Sequence, residues 1–393
     1  MPRTALLDRP LPVPPPAAPA PPAGRLRAVL GPAVAVHAGS LVAHLVLLAA
    51  MSRPGTSLVE RLTAWDGRHF VAIAADGYPS GFTYTADGEL TGNDLAFFPL
   101  FPLLVRAVHA VSGLGWSGAA VLTAQLAFLT ALVLVHRLVA GLYSRRAATV
   151  TLVLLAAAQP MSLVFFMAYS ESVFLALAAG ALLAAHRRCW AAAGACAFLA
   201  GLTRPAGVAV VVALAVAVLG ELRRRPEQPL RPVAAALLGC AGTPLYLAWV
   251  AERLGSAGAW FAVQRAGWDT RWDWGRSCGE FLLSALRTGD GWVEVSVAVL
   301  LLAHLLALGL AVRGSAWPPL LVYGVLVVVL TLGQSNYYHC KPRLLAPALV
   351  VLLPVASALA RARRSTRLAV LGAAALFGCW YGAYLLTAWR YAI

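Results

Sequence analysis

Three carboxylates, Asp66, Asp76 and Asp94, stand in a polar stretch between the first two hydrophobic segments of a very apolar chain. Residues 58–78 read L-V-E-R-L-T-A-W-D-G-R-H-F-V-A-I-A-A-D-G-Y, and N-D-L-A-F-F-P-L-F-P follows at 93–102. Leu62, Asp66, Phe70 and Ile73 recur at helical spacing, which predicts one short amphipathic helix with Asp66 inside its apolar stripe. A carboxylate there is costly unless partnered, and low polarity favours its neutral form. Such a group can take a proton from a substrate hydroxyl. It can equally be a structural partner of Arg61 or Arg68. His69 lies one turn on. Asp76 precedes Gly77 and suits a turn. Gly77 and Pro79 predict the helix end. Pro99 and Pro102 break the apolar 96–113 stretch, and Pro102 can open a new helix because its missing N–H is not needed there.

The other candidates lie far along the chain. Glu171 opens an apolar segment after Ser170, where it can bind substrate or simply favour the helix start. Arg204, in L-T-R-P-A-G, can clamp a phosphate or reach lipid headgroups. Trp260, Gln264, Arg265, Trp268, Trp272, Trp274 and Arg276 crowd one loop; an interfacial aromatic belt explains them, and so does a surface for a sugar ring or prenyl chain. Lys341 and Arg343 follow Q-S-N-Y-Y-H-C and can meet a phosphate or anchor the interface. His69 and His339 show no H-x-x-x-H spacing, and no metal requirement is legible.

The segments that must position these residues are membrane segments. The chain has 393 residues, 60% hydrophobic and 12% charged, which excludes an ordinary soluble protein. Spans of roughly 20 residues are expected near 27–51, 117–136, 148–168, 171–186, 190–203, 206–222, 232–252, 293–312, 317–333, 344–360 and 368–389. Residues 96–113 read instead as a surface or re-entrant helix. The expected architecture is an all-α polytopic protein with about 11 transmembrane helices. It comprises a Pro/Ala-rich disordered cytoplasmic tail at 1–24 and a single membrane domain at 25–393, with 52–116 as the catalytic outer loop. The tail has no apolar core of a signal peptide.

With the N-terminus inside, 18 of the 31 basic residues and three of the 16 acidic ones fall on the inner side. The whole net charge of +15 then lies inside, and the outer side balances at 13 of each sign. This topology puts Asp66, Asp94, Glu171, Arg204, the 253–292 loop and 334–343 on the outer face. No Walker-type motif, G-x-S-x-G or G-x-G-x-x-G is present, so a soluble nucleotide-sugar site is not expected. The six cysteines form no C-x-x-C; Cys278 and Cys340 are the two expected in outer loops.

The pair W-D-G-R-H-F-V-A-I-A-A-D-G-Y and A-F-F-P-L-F-P resembles the first outer loop of the PIG-V-like mannosyltransferases, integral-membrane glycosyltransferases of the GT-C class. P-M-S-L-V-F-F-M-A-Y-S-E-S-V-F at 160–174, L-T-R-P-A-G at 202–207 and W-F-A-V-Q-R-A-G-W at 260–268 match in the same order. The resemblance implies an Asp of this loop, here Asp66, as the catalytic carboxylate. It also implies a polyprenyl-phosphate-linked sugar as donor, with mannose the expected sugar. An acidic residue before F-F-P also belongs to the pattern, and Asp94 takes that place at a looser spacing.

These readings converge on a plasma-membrane glycosyltransferase with its site on the outer face, acting by inversion with an Asp base. A glycan, lipid or protein is its acceptor; nucleic acid is no partner. His69, Asp94, Glu171, Arg204, Gln264, Arg265, Lys341 and Arg343 are the candidate substrate contacts. A multi-pass lipid or small-solute transporter or flippase, or a membrane scaffold, is the alternative. Polar groups that all open to one side speak for the enzyme.

Overall fold

The computed structural model describes residues 22–314, 316–389 and 391. Most of the Pro/Ala-rich tail therefore lies outside the described residues. Helix α1 (Pro22–Met51) leads to two short helices, α2 (Leu58–Leu62) and α3 (Asp66–Asp76). A hairpin of β1 (Thr83–Tyr84) and β2 (Leu90–Thr91), paired Thr83 with Thr91, precedes α4 (Leu100–Ser112) and α5 (Trp116–Leu142). Helix α6 (Arg145–Val153) runs into a π turn at Leu154–Ala158 and a 3-10 turn at Ser162–Phe165. Then come α7 (Glu171–His186), α8 (Trp190–Gly201), α9 (Gly207–Arg224), α10 (Leu230–Cys240) and α11 (Gly242–Leu254). The segment that follows holds α12 (Ala259–Trp268), β3 (Arg271–Trp272) and α13 (Arg276–Thr288). The chain ends with α14 (Trp292–Arg313), α15 (Pro318–Leu332), β4 (Gln334–Ser335), α16 (Lys341–Leu345), α17 (Leu353–Arg361) and α18 (Arg364–Thr387).

Among the described residues, five helical stretches are long and apolar enough to cross a bilayer: Leu30–Met51, Trp116–Leu142, Leu230–Leu254, Trp292–Arg313 and Arg364–Thr387. The stretches Tyr338–Leu345 and Leu349–Arg361, bent by 80°, reach that length only when taken together, as a broken span or a re-entrant loop. The other expected spans are shorter helices such as α7, α8 and α15, or the broken α6 segment. They sit inside the bundle: α7 packs on α5, α8 and α9, and α8 on α10. Small residues permit this approach. A Cβ at Gly194 would stand 2.8 Å from the Ala235 carbonyl oxygen, so α8 and α10 touch backbone to backbone. The protein is an integral membrane protein.

Two local expectations are revised. The single helix expected over Leu62–Ile73 is broken at Thr63–Trp65. Ser57 caps α2 by accepting the Glu60 amide at 3.0 Å. The chain then turns through Ala64–Gly67, with the Gly67 amide donating to the Ala64 carbonyl at 3.1 Å. Trp65 has φ 56° and ψ −121°, the conformation of a type II′ turn that normally asks for glycine. The second revision concerns α4. It starts after Pro99, and Pro102 sits within its first turn, where no amide donor is required. Two small hairpins, β1–β2 and β3–β4, also interrupt an otherwise helical chain.

The segments flanking these turns are tied together. Arg106 of α4 donates through Nε to Ala74 O at 2.6 Å and through Nη2 to Ile73 O at 3.2 Å, closing the C-terminus of α3. Gly92, after β2, meets Gly267 of α12; a Cβ on Gly267 would lie 2.7 Å from the Gly92 Cα. The two segments can therefore cross at this point only as glycines.

Candidate active site

Asp66 occupies the first turn of α3, where the helix N-terminus favours a negative charge. The turn below it is pinned from two sides. Ala168 donates its amide to Leu62 O at 2.8 Å, and the Tyr169 hydroxyl donates to Ala64 O at 3.2 Å. Phe70, Ile73 and Leu62 are buried, as the stripe predicts.

The partner of Asp66 is not a neighbour in sequence. Arg343 Nη2 lies 2.8 Å from Asp66 Oδ2. The same guanidinium places Nε 3.4 Å from Glu171 Oε1 and its plane over the Tyr169 ring, 5.0 Å from the centroid. Glu171 Oε1 also takes Arg204 Nη1 at 3.1 Å, and Arg204 lies over Phe174. Asp66, Arg343, Glu171 and Arg204 thus form one chain of alternating charge with no net charge. Burial deepens along it, from 21% side-chain exposure at Asp66 to 3% at Glu171.

All four line one cavity of about 470 Å³. Its roof and walls include Phe97, Trp260, Phe261, Gln264, Trp268 and Trp272, and its floor Thr331, Gln334, Asn336 and Cys340. Arg271 adds a third cation. The cavity continues past Pro205, Ala206, Leu330 and Leu344 between apolar helices. Its lining thus combines charged and apolar residues.

The A-F-F-P turn is one wall, and side chains bond its Ala96 and Phe97 carbonyls. Tyr78 donates its hydroxyl to Phe97 O at 2.8 Å. Tyr246 places its hydroxyl 2.9 and 2.7 Å from Leu95 O and Phe97 O. Trp260 Nε1 and Gln264 Nε2 both donate to Ala96 O, at 3.3 and 3.0 Å. Burial pushes the Tyr78 phenol above its ordinary value, so it remains a donor.

Beside this wall, His69 Nδ1 and Asp94 Oδ1 lie 2.7 Å apart. The His69 ring stacks on Phe97 at 4.7 Å and meets the edge of Trp268 at 5.9 Å. Phe97 and Trp268 stand between this pair and the cavity: they line it, and His69 and Asp94 do not. Arg265 is exposed and also off the cavity. Lys341 is buried, its ammonium donating to Gln334 O at 2.8 Å and Thr331 O at 3.1 Å. It fastens the 331–334 backbone rather than facing the cavity. Sequence reasoning did not single out Tyr78, Tyr169, Tyr246, Arg271 or Asn336; the aromatic hydroxyls carry no spacing signal. Cys278 and Cys340 are both free thiols. Among the described residues no group of three or more His, Cys, Asp or Glu side chains gathers.

No family model matches the chain, and no curated protein matches it in sequence. Solved structures do. The chain is similar to ArnT from Cupriavidus metallidurans bound to undecaprenyl phosphate, with a TM-score of 0.55 and 14% identity over 90% of this chain and 76% of that one. The apo state of ArnT matches over the same shares, at 16% identity. A weaker likeness, TM-score 0.47 at 14% identity, joins 89% of this chain to 55% of the archaeal oligosaccharyltransferase AglB from Archaeoglobus fulgidus. At these identities the ArnT likeness shows the fold alone, a helical membrane bundle shared over 90% of this chain.

Proposed function

We propose that the protein is a membrane glycosyltransferase that moves a sugar, mannose by its PIG-V-like motifs, from a polyprenyl-phosphate donor to an acceptor. The observation that carries this reading is the junction of Asp66 with Arg343, Glu171 and Arg204 on one aromatic-walled cavity with an apolar extension. The donor's polyprenyl chain lies along Ala206, Leu330 and Leu344, and its phosphate lies beside Arg204, within reach of Arg343. The sugar packs against the aromatic wall.

The donor already carries a phosphate leaving group, so the protein supplies a base and cations. Asp66 takes the proton of the acceptor hydroxyl as the acceptor oxygen attacks the anomeric carbon. Direct displacement inverts that centre. His69 and Asp94, outside the cavity wall, hold Phe97 and Trp268 in place. The charge bias puts the site on the outer face of the plasma membrane, in an eleven-crossing topology with the N-terminus inside.

Purified protein in nanodiscs is given radiolabelled polyprenyl-phosphate mannose with an acceptor fraction from the native membrane. The wild type consumes donor, and Asp66→Asn slows this by roughly 10²–10⁴-fold. Absence of turnover with every acceptor fraction, or full activity of a folded Asp66→Asn protein, refutes the proposal.

A further inference from the structure

We infer that Arg343 changes partner during the reaction: it holds Asp66 before transfer and the departing phosphate after it. This rests on the transferase reading of the cavity. During transfer the bond from the anomeric carbon to the phosphate oxygen breaks, and its electron pair stays on that oxygen. The acceptor oxygen forms the new bond to the same carbon, and its proton passes to Asp66. The phosphate changes from a diester with one negative charge to a monoester with nearly two. Asp66 changes from anion to neutral acid in the same event.

One guanidinium is placed to register both changes. Arg343 Nη2 lies 2.8 Å from Asp66. When Asp66 is neutral, the ion pair is gone and only a weaker bond from the guanidinium to an uncharged oxygen remains. The side chain does not swing away, because Nε remains at Glu171 and the plane remains on Tyr169. Glu171, almost wholly buried, is the fixed anchor; Asp66, at 21% exposure, is the exchangeable end. Positive charge thus becomes available to the leaving oxygen in step with proton transfer. A base without such a partner would not couple the two.

Asp66→Asn imitates the protonated base, so the exchange has a binding signature that needs no turnover. Binding of undecaprenyl phosphate, the monoester, and of undecaprenyl-phosphate mannose, the diester, is measured on the full chain in nanodiscs. Undecaprenol is the uncharged control. Asp66→Asn is expected to bind the monoester about tenfold to a hundredfold more tightly than wild type, the worth of one hydrogen bond to a charged group. The diester should change by less than about threefold, well under a single such bond. The gain should survive at 1 M salt, where exposed charges are screened beyond about 3 Å. It should vanish when Arg343→Lys is combined with Asp66→Asn, since lysine keeps the charge but lacks the second nitrogen that lets one end stay at Glu171 while the other turns to the phosphate.

An equal rise for both lipids, or a rise lost in 1 M salt, would show a simple charge effect and overturn the exchange. So would the absence of any rise. Wild-type binding of undecaprenyl phosphate no better than of undecaprenol would overturn the transferase reading itself.

Discussion

Glu171→Gln tests the charge chain most directly. The glutamate side chain is 3% exposed and serves two guanidiniums, Arg343 at 10% and Arg204 at 13% exposure. The substitution keeps the volume and removes one charge, leaving Asp66 alone against two cations. The amide also turns an N–H₂ group toward donors. Removing one partner of a buried ion pair costs about 3–5 kcal/mol, because the remaining charge is buried without compensation. We expect a loss of that size, read from unfolding in mixed micelles by tryptophan fluorescence. Asp66→Asn removes the same charge at a more exposed position and should cost less. The decisive variant is Glu171→Gln with Arg204→Gln, which restores neutrality. It should be more stable than the sum of the two single losses predicts by at least about 1 kcal/mol. Additive losses, or a Glu171→Gln protein within about 0.5 kcal/mol of wild type as for an ordinary surface change, would refute the charge chain as a stabilising unit.

Trp65→Gly should lower thermal stability less than Trp65→Val. Positive φ costs a non-glycine residue about 1–3 kcal/mol and a β-branched one most; equal stabilities would remove the strain from the account. Partial desolvation pushes the Asp273 carboxyl up, but hydrogen bonds from Ser277 and the Gly275 amide outweigh it and hold the group below its ordinary value. Its contribution to docking α13 is therefore present above about pH 3.9 and lost as pH falls through the folded-state value. Amide protection of α13, corrected for intrinsic exchange, should fall on acidification in wild type and be low and flat in Asp273→Asn. Ala86→Cys sits in the exposed tip of the β1–β2 hairpin, away from the strained Gly88. In a background without the exposed Cys189 and Cys240, it should react with an impermeant maleimide on intact cells. Reaction only after permeabilisation would invert the topology.

The sequence by itself determined the medium, the helical class and the apolar stripe of the first loop. Apolar runs such as Trp292–Arg313 announce themselves because every backbone group in a bilayer must bond internally. The stripe Leu62, Phe70 and Ile73 was legible because a helix repeats every 3.6 residues, and all three are buried. Pro99 and Gly77 marked ends through what their backbones cannot or can do.

Tertiary structure decided the partners. Nothing in the spacing of Asp66, Glu171, Arg204 and Arg343 says that they meet, since an ion pair leaves no period in the chain. Lys341 and Arg343 look alike in sequence, two residues apart. Yet the lysine ends on two backbone carbonyls and the arginine on two carboxylates. The break at Trp65 likewise runs against local preference. Ala168 and Tyr169 hold it by bonding the Leu62 and Ala64 carbonyls just before it, and it is that turn which aims Asp66 at Arg343.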